Sequence, residues 1–312
     1  MQKIGLLFSG QGSEVAGMGL DLYQNQPTYR AVIDQASQVT GLDLPAIMQT
    51  PELLAQTQYA QPAIVAMSVG IAQLLAENNV PITAAAGLSL GEYSALIANQ
   101  TFSMAEGLPL VATRGRLMQQ AIEHQAGQMV ALIEPNIAQV QQICTTVQAQ
   151  GEWVAIANVN SPKQIVVAGT PNGIQQFTAE LNRLAPTTKC LPLKVSGAFH
   201  TQLFAETAQA FKPFIEQMAQ NQGLYPVISN TTQQPFELAT LTETLVQQMA
   251  HATHFSANLQ FLAQQGIDVL IEVGPGKTLS KFARQTIPTV ERFNIGNQKQ
   301  LTSVLAALKE VH

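Results

Sequence analysis

Short apolar runs alternate along this chain with longer segments of helical periodicity. Residues 3–8 (KIGLLF), 82–87 (ITAAAG), 226–229 (PVIS) and 269–273 (VLIEV) are brief apolar stretches bounded by turn-forming residues. Such runs read as strands buried on both faces. Residues 59–77, 92–98, 106–126 and 202–220 carry apolar positions at three- and four-residue spacing and predict helices. A helical run is also expected up to residue 265, and a last helix after residue 277. Strands separated by helices predict an α/β fold with a parallel sheet.

The rhythm changes in the middle of the chain. Strands are expected at 128–133, 153–159, 165–169 and 190–193, with helices at 136–148 and 171–184. That order is βαββαβ, a ferredoxin-like arrangement. It predicts a small lobe at 127–194 inserted into a larger domain made of 1–126 and 195–312.

Composition excludes several classes. Of 312 residues, 46% are hydrophobic and 11% charged, the reverse of a disordered chain. No uninterrupted apolar run reaches the ~18 residues of a membrane span, so no membrane association is expected. The start, MQKIGLLFSGQGSE, breaks into Gly-Gln-Gly and reads as a first strand rather than a signal peptide. Two cysteines, Cys144 and Cys190, form neither a disulfide framework nor a zinc spacing, which fits a reducing cytoplasm. Residues 1–160 hold 4 bases and 11 acids, a net of −7, while 161–312 hold 11 bases and 9 acids, a net of +2. No basic stripe suits a phosphate backbone, so nucleic acid is not an expected partner. The milder positive half suits an acidic protein.

Gly87-Leu88-Ser89-Leu90-Gly91 is a G-x-S-x-G sequence placed where a strand ends and a helix begins. That is the setting of a nucleophile elbow, with Ser89 lifted above the sheet and the Leu90 N–H free for an oxyanion. A serine nucleophile needs a base. His200, in Ser-Gly-Ala-Phe-His-Thr after an apolar strand, is the first candidate. His124 falls in a polar stretch and His312 is terminal. His251 and His254, in H-A-T-H, lie three apart on one expected helical face, without a carboxylate or cysteine to complete a metal site. Gly10-Gln11-Gly12-Ser13 fails as a dinucleotide fingerprint because position 15 is Val, and GPGKT at 274–278 fails as a P-loop because position 271 is Ile. Both loops still offer backbone N–H groups to an anion. Arg114, on an apolar helix, is either half of a structural ion pair or a fork for a substrate carboxylate.

Seven motifs in order resemble the malonyl-CoA:acyl carrier protein transacylase family. They are GQGSE at 10–14, QPAI at 61–64, GLSLGEY at 87–93, RGRLMQ at 114–119, NVNSP at 158–162, GAFHT at 197–201 and EVGPGK at 272–277. The resemblance implies an α/β-hydrolase-like large domain with an inserted ferredoxin-like one. It implies Ser89 as nucleophile, His200 as base, and the N–H groups of Gln11 and Leu90 as oxyanion hole. Arg114 would hold the malonate carboxylate, with Asn160 and Gln61 in support, and the His254 carbonyl would accept the His200 ring N–H. Malonyl-CoA and the phosphopantetheine arm of acyl carrier protein are then the substrates. No metal or other cofactor is expected, and the product would supply fatty acid biosynthesis, or a polyketide pathway. The protein is expected to act as a monomer. A serine esterase or thioesterase, with a Ser-Asp/Glu-His triad, and a silent carrier-docking module are the rival readings. Two positions depart from the family pattern: Leu88 stands where His is common, and Glu14 where Gln is common.

Overall fold

A computed structural model describes residues 2–195 and 197–310. Ser196, the first residue of the run before His200, and His312 lie outside the described residues. The chain opens with β1 (Ile4–Phe8), followed by helices α1 (Leu20–Asn25), α2 (Pro27–Thr40), α3 (Leu44–Gln49), α4 (Pro51–Leu54) and α5 (Thr57–Glu77). Then come β2 (Ile82–Gly87), α6 (Leu90–Ala98) and α7 (Met104–His124). The middle segment holds β3 (Gln128–Ile133), α8 (Ile137–Ala149), β4 (Val154–Ser161), β5 (Gln164–Gly169), α9 (Pro171–Leu184) and β6 (Lys189–Pro192). The chain ends with α10 (Ala205–Glu216), β7 (Val227–Ile228), α11 (Leu241–Ala250), α12 (Phe255–Gln264), β8 (Val269–Val273), α13 (Thr278–Thr286), β9 (Glu291–Ile295) and α14 (Gln298–Glu310).

Five strands form a parallel sheet in the order β7-β2-β1-β8-β9. Both faces are covered, which is why its central strands are continuous apolar runs. Leu6, Phe8 and Ile271 join the main core with α5, while Leu7, Ala86 and Leu270 pack with Phe255, Leu259 and Phe282 on the other face. Helix α5 is long and apolar enough to cross a membrane, but 83% of its most apolar stretch is buried inside the protein. The loops after β1, β2, β7 and β8 all leave the carboxyl edge of this sheet, the edge where α/β proteins assemble sites.

Four strands form a second, antiparallel sheet in the order β4-β5-β3-β6. Its side chains alternate between two environments. Val130 and Leu132 enter a cluster with α8 and α9, while Met129 and Ala131 turn to the main core.

Three expectations are corrected. The helix expected over 202–220 begins as a 3-10 turn at Gln202–Phe204 and ends at Glu216. The helical run expected up to 265 is broken at 251–254, because Thr253 bridges to Asn158 of β4; His251 and His254 therefore share no helical face. Strand β9 and helix α14 have no counterpart in the sequence reading. Strand β9 lies at the sheet edge, is mostly half-buried, and reads ERFNI, so it has no apolar run to give it away. His124 closes α7, within the helix expected over 106–126.

Candidate active site

The turn from β2 into α6 is tight enough to demand both of its glycines. A Cβ on Gly87 would overlap the Gly91 carbonyl group, and one on Gly91 would overlap the Phe8 carbonyl oxygen. Ser89 sits between them at φ 54° and ψ −104°, a conformation that costs a non-glycine residue on the order of 1–3 kcal/mol. Asn230, just past β7, holds it there. Its Oδ1 accepts from Ser89 N–H (2.8 Å) and its Nδ2 donates to Gly87 O (2.7 Å). The Leu90 N–H opens helix α6 and so has no acceptor within the helix.

Ser89 lines a cavity of about 560 Å³ shared with Gln11, Leu90, Arg114, Asn160 and His200. The antiparallel sheet closes one side through Met129, Ala131 and Val166. Gln11 is fixed against α5: its Nε2 donates to Thr57 Oγ1 (3.0 Å) and its Oε1 accepts from Gln61 Nε2 (3.4 Å).

His200 is buried in a loop at φ 61°, pinned by Thr201 Oγ1 donating to Ala198 O (2.6 Å). Its Nδ1 lies 2.8 Å from the Gln248 carbonyl oxygen. A carbonyl only accepts, so Nδ1 carries the proton and Nε2 keeps its lone pair. Burial lowers the ring from its ordinary value of 6.5 to about 4, with Arg114 adding to the drop and the Gln248 hydrogen bond opposing it. The ring is therefore a neutral base at pH 7.

The expected partner of this ring, the His254 carbonyl, is elsewhere. His254 O accepts from Ala257 N–H (3.0 Å) and Asn258 N–H (3.2 Å) at the start of α12. The break at 251–254 spends that carbonyl on capping a helix, and Gln248, in the last turn of α11, takes its place.

Arg114 is 1% exposed. Its guanidinium donates to Gln61 Oε1 (2.8 Å), Gln248 Oε1 (3.1 Å) and, more loosely, Ser89 Oγ (3.4 Å), and it lies over the Tyr93 ring at 5.1 Å. No carboxylate forms a salt bridge with it among the described residues. Its positive charge is thus presented beside the Ser89 hydroxyl with only neutral side chains as direct partners. Asn160 donates to Gln164 Oε1 (3.1 Å), while its buried Oδ1 has no partner among the described residues. The Glu14 carboxylate turns back onto its own loop and accepts from Gly12 N–H (2.6 Å). Leu88 packs against the apolar cluster beside α12 and α13 and also lines the cavity.

A family model described as acyl transferase domain matches residues 6–304. The chain belongs to the acyl transferase family. It is 31% identical to malonyl CoA-acyl carrier protein transacylase of Bacillus subtilis strain 168, over 99% of this chain and 98% of that protein. The crystal structure of MCAT from Streptococcus pneumoniae superimposes with a TM-score of 0.93 at 35% identity, covering 98% of this chain and 100% of that one. A malonyl-transacylase solved in complex with a type II PKS acyl-carrier protein gives a TM-score of 0.93 at 30% identity, covering 98% and 99%.

This acyl transferase therefore has Ser89, His200 and Arg114 around one cavity, and three further residues to which the sequence reading gave no part. Gln248 holds His200 and Arg114, Asn230 holds the elbow, and Glu92 lies behind both. Gln248 and Asn230 reach Ser89 across 159 and 141 residues of sequence, and Gln248 reaches Glu92 across 156. The available signals were a glutamine in an apolar helix and an acid next to the elbow's second glycine.

Proposed function

We propose that the protein transfers a malonyl group from malonyl-CoA to the phosphopantetheine thiol of an acyl carrier protein, through a malonyl ester on Ser89. The product supplies fatty acid synthesis. The observation that carries this reading is Arg114, a buried guanidinium 3.4 Å from Ser89 Oγ with no carboxylate of its own. A substrate carrying a free carboxylate matches it with two parallel hydrogen bonds. The long contact to the hydroxyl is the one that yields to such an acceptor.

In the first half-reaction, His200 Nε2 takes the proton of Ser89 Oγ as the oxygen attacks the thioester carbonyl carbon. The tetrahedral oxyanion is received by the N–H groups of Gln11 and Leu90. The C–S bond then breaks, and His200 gives that proton to the departing coenzyme A sulfur, so coenzyme A leaves as the thiol and the ring is neutral again. In the second half-reaction His200 takes the carrier thiol's proton, and the same steps run in reverse. Acyl transfer between thiols is redox-neutral, and the base here is an imidazole, so neither step calls on a metal or redox cofactor. Gln61 keeps Arg114 in place, and Asn160 Oδ1 offers an acceptor to the incoming arm. The His200 ring leans on a carbonyl rather than a carboxylate, which favours this two-residue mechanism over an esterase triad.

The fold fits the same reading. The elbow on a parallel sheet is of α/β-hydrolase type. Taken in chain order, the four strands of the second sheet lie as 4-1-3-2, the ferredoxin-like order, and we assign residues 127–194 as the inserted subdomain. The decisive test is intact mass after mixing with malonyl-CoA. A malonyl adduct on the wild type and none on Ser89→Ala is expected. An adduct that persists in the variant overturns the assignment.

A further inference from the structure

Glu92 is fully buried, directly behind the nucleophile, and takes no part in the mechanism above. Its Oε1 accepts from the backbone N–H of Asn230, and its Oε2 accepts from Gln248 Nε2, both at 2.5 Å. Gln248 Nε2 also donates to the Ser89 carbonyl oxygen (2.8 Å), and Gln248 Oε1 accepts from Arg114 (3.1 Å). The same residue's backbone carbonyl holds His200.

We propose that Glu92 is a positioning residue for substrate selection: it fixes which way round the Gln248 amide sits, and through that amide holds Arg114 in place beside Ser89. The polarity of every link is forced. Arginine only donates, so the amide oxygen must face Arg114. The Ser89 carbonyl only accepts, so the amide nitrogen must face it, and its second hydrogen points at Glu92. The Asn230 N–H is a fixed donor on the other side. Position 92 must therefore offer two acceptors and no donor, which among side chains of this length only a carboxylate does. Burial pushes the Glu92 carboxyl up, and the Asn230 N–H, the Gln248 amide and Arg114 pull it back toward the carboxylate that the hydrogen-bond geometry requires. Glutamine at this position would set a donor against a donor, either at Asn230 or at Gln248. In the second case the Gln248 amide turns and presents N–H groups to the guanidinium.

This inference rests on Arg114 being the carboxylate clamp, and the test separates the two. The readout is kcat/KM with malonyl-CoA and acetyl-CoA for the wild type, Arg114→Ala, Glu92→Gln, Gln248→Met and the Glu92→Gln/Gln248→Met double variant, with thermal melting alongside. Gln248→Met removes the amide and keeps the main-chain carbonyl for His200. Glu92→Gln should lower the malonyl-to-acetyl ratio about 10-fold or more, the scale of a hydrogen bond to a charged group. Gln248→Met should lower it by a similar factor. In the double variant the second substitution should add less than about 3-fold, because both act through one amide. A lowered melting temperature with an unchanged ratio in Glu92→Gln makes Glu92 merely structural and overturns the proposal. Independent, multiplying effects in the double variant overturn it too. If Glu92→Gln does not fold, an unchanged ratio in Gln248→Met alone overturns it. A ratio untouched by Arg114→Ala would instead sink the clamp itself.

Discussion

The two sheets of this protein handle polar groups in opposite ways. The carboxyl edge of the parallel sheet buries Glu92, Arg114, His200, Asn230 and Gln248 together, and it holds Ser89 and His200 at positive φ. The core between the antiparallel sheet and helices α8 and α9 is built from Val, Ile, Leu and Phe side chains with one cysteine. Buried polar groups of that sheet, Asn158, Asn160 and Ser161, gather at the end of β4. Strained backbone and buried charge are expensive, and they persist only where surrounding groups satisfy them. The comparison teaches a division of labour. The parallel sheet supplies a preorganised reaction centre, and the antiparallel sheet supplies a wall and part of the mouth. Substitutions at the first should change chemistry and selectivity, and substitutions on the second should change access.

The largest effect is expected at Arg114. A site built to bond a carboxylate rejects a substrate lacking it by up to ~10⁴-fold. Arg114→Ala should lose most malonyl transfer while acetyl transfer changes little, so the ratio of their kcat/KM values collapses. Arg114→Lys keeps the charge and loses the fork, and should recover only part of the rate. An unchanged ratio in Arg114→Ala would make the arginine structural and move selectivity elsewhere, breaking the first half of the comparison.

His200 should come next. Removing a positioned general base costs ~10²- to 10⁴-fold, so His200→Ala should slow malonyl transfer by at least ~10²-fold. The pH profile sharpens this. The folded ring's pKa lies at about 4 against an ordinary value of 6.5, so the ring stays neutral well below pH 6.5. The acid limb of kcat/KM should therefore fall with a midpoint under 6.5, displaced toward 4. Stability moves with it. The unfolded chain takes up this proton near 6.5 and the folded chain only near 4, so the group's contribution to stability is lost as pH drops between those values. A limb centred at 6.5 or above would mean a solvated histidine and a base other than His200.

Much of this centre was legible in the sequence because its geometry is local. The elbow's glycines, serine and strand-to-helix setting lie within five residues, and the strands of the parallel sheet's interior announce themselves as apolar runs. The βαββαβ segment was legible for the same reason, with strand 128–133 and helix 171–184 placed to the residue. What was not legible depends on contacts across the chain. Gln248 reaches Glu92 over 156 positions and Asn230 reaches Ser89 over 141; no local spacing encodes such pairs. The choice of carbonyl behind His200 is of this kind. A backbone oxygen has no sequence signature, and His254 O was already committed to capping α12. Strand β9 escaped because an edge strand needs only one covered side and can carry Glu291 and Arg292.

The smallest expected effect lies at the mouth of the cavity, where the two regions meet. Lys194, after β6 of the antiparallel sheet, and Lys281, on α13 beside the parallel sheet, both line the cavity and are exposed. Lys189, Lys277 and Arg284, on the same segments of chain, are exposed as well. A carrier protein with an acidic docking face would meet this rim, and rim charges act mainly through association rate and salt dependence. Lys194→Glu and Lys281→Glu should each slow transfer to the carrier by several-fold, roughly the scale of 1 kcal/mol. Acylation by malonyl-CoA should change less, because the buried cluster around Ser89 is untouched. The measurement is each half-reaction separately: malonyl-enzyme formation by mass, and its discharge by carrier at low and high salt. Salt should shrink the difference between variant and wild type in the second half-reaction, since exposed charges are screened within about 10 Å at 0.1 M. Equal losses in both half-reactions would place these lysines on coenzyme A rather than on the carrier, and would make the mouth part of the first substrate's site instead of a docking rim.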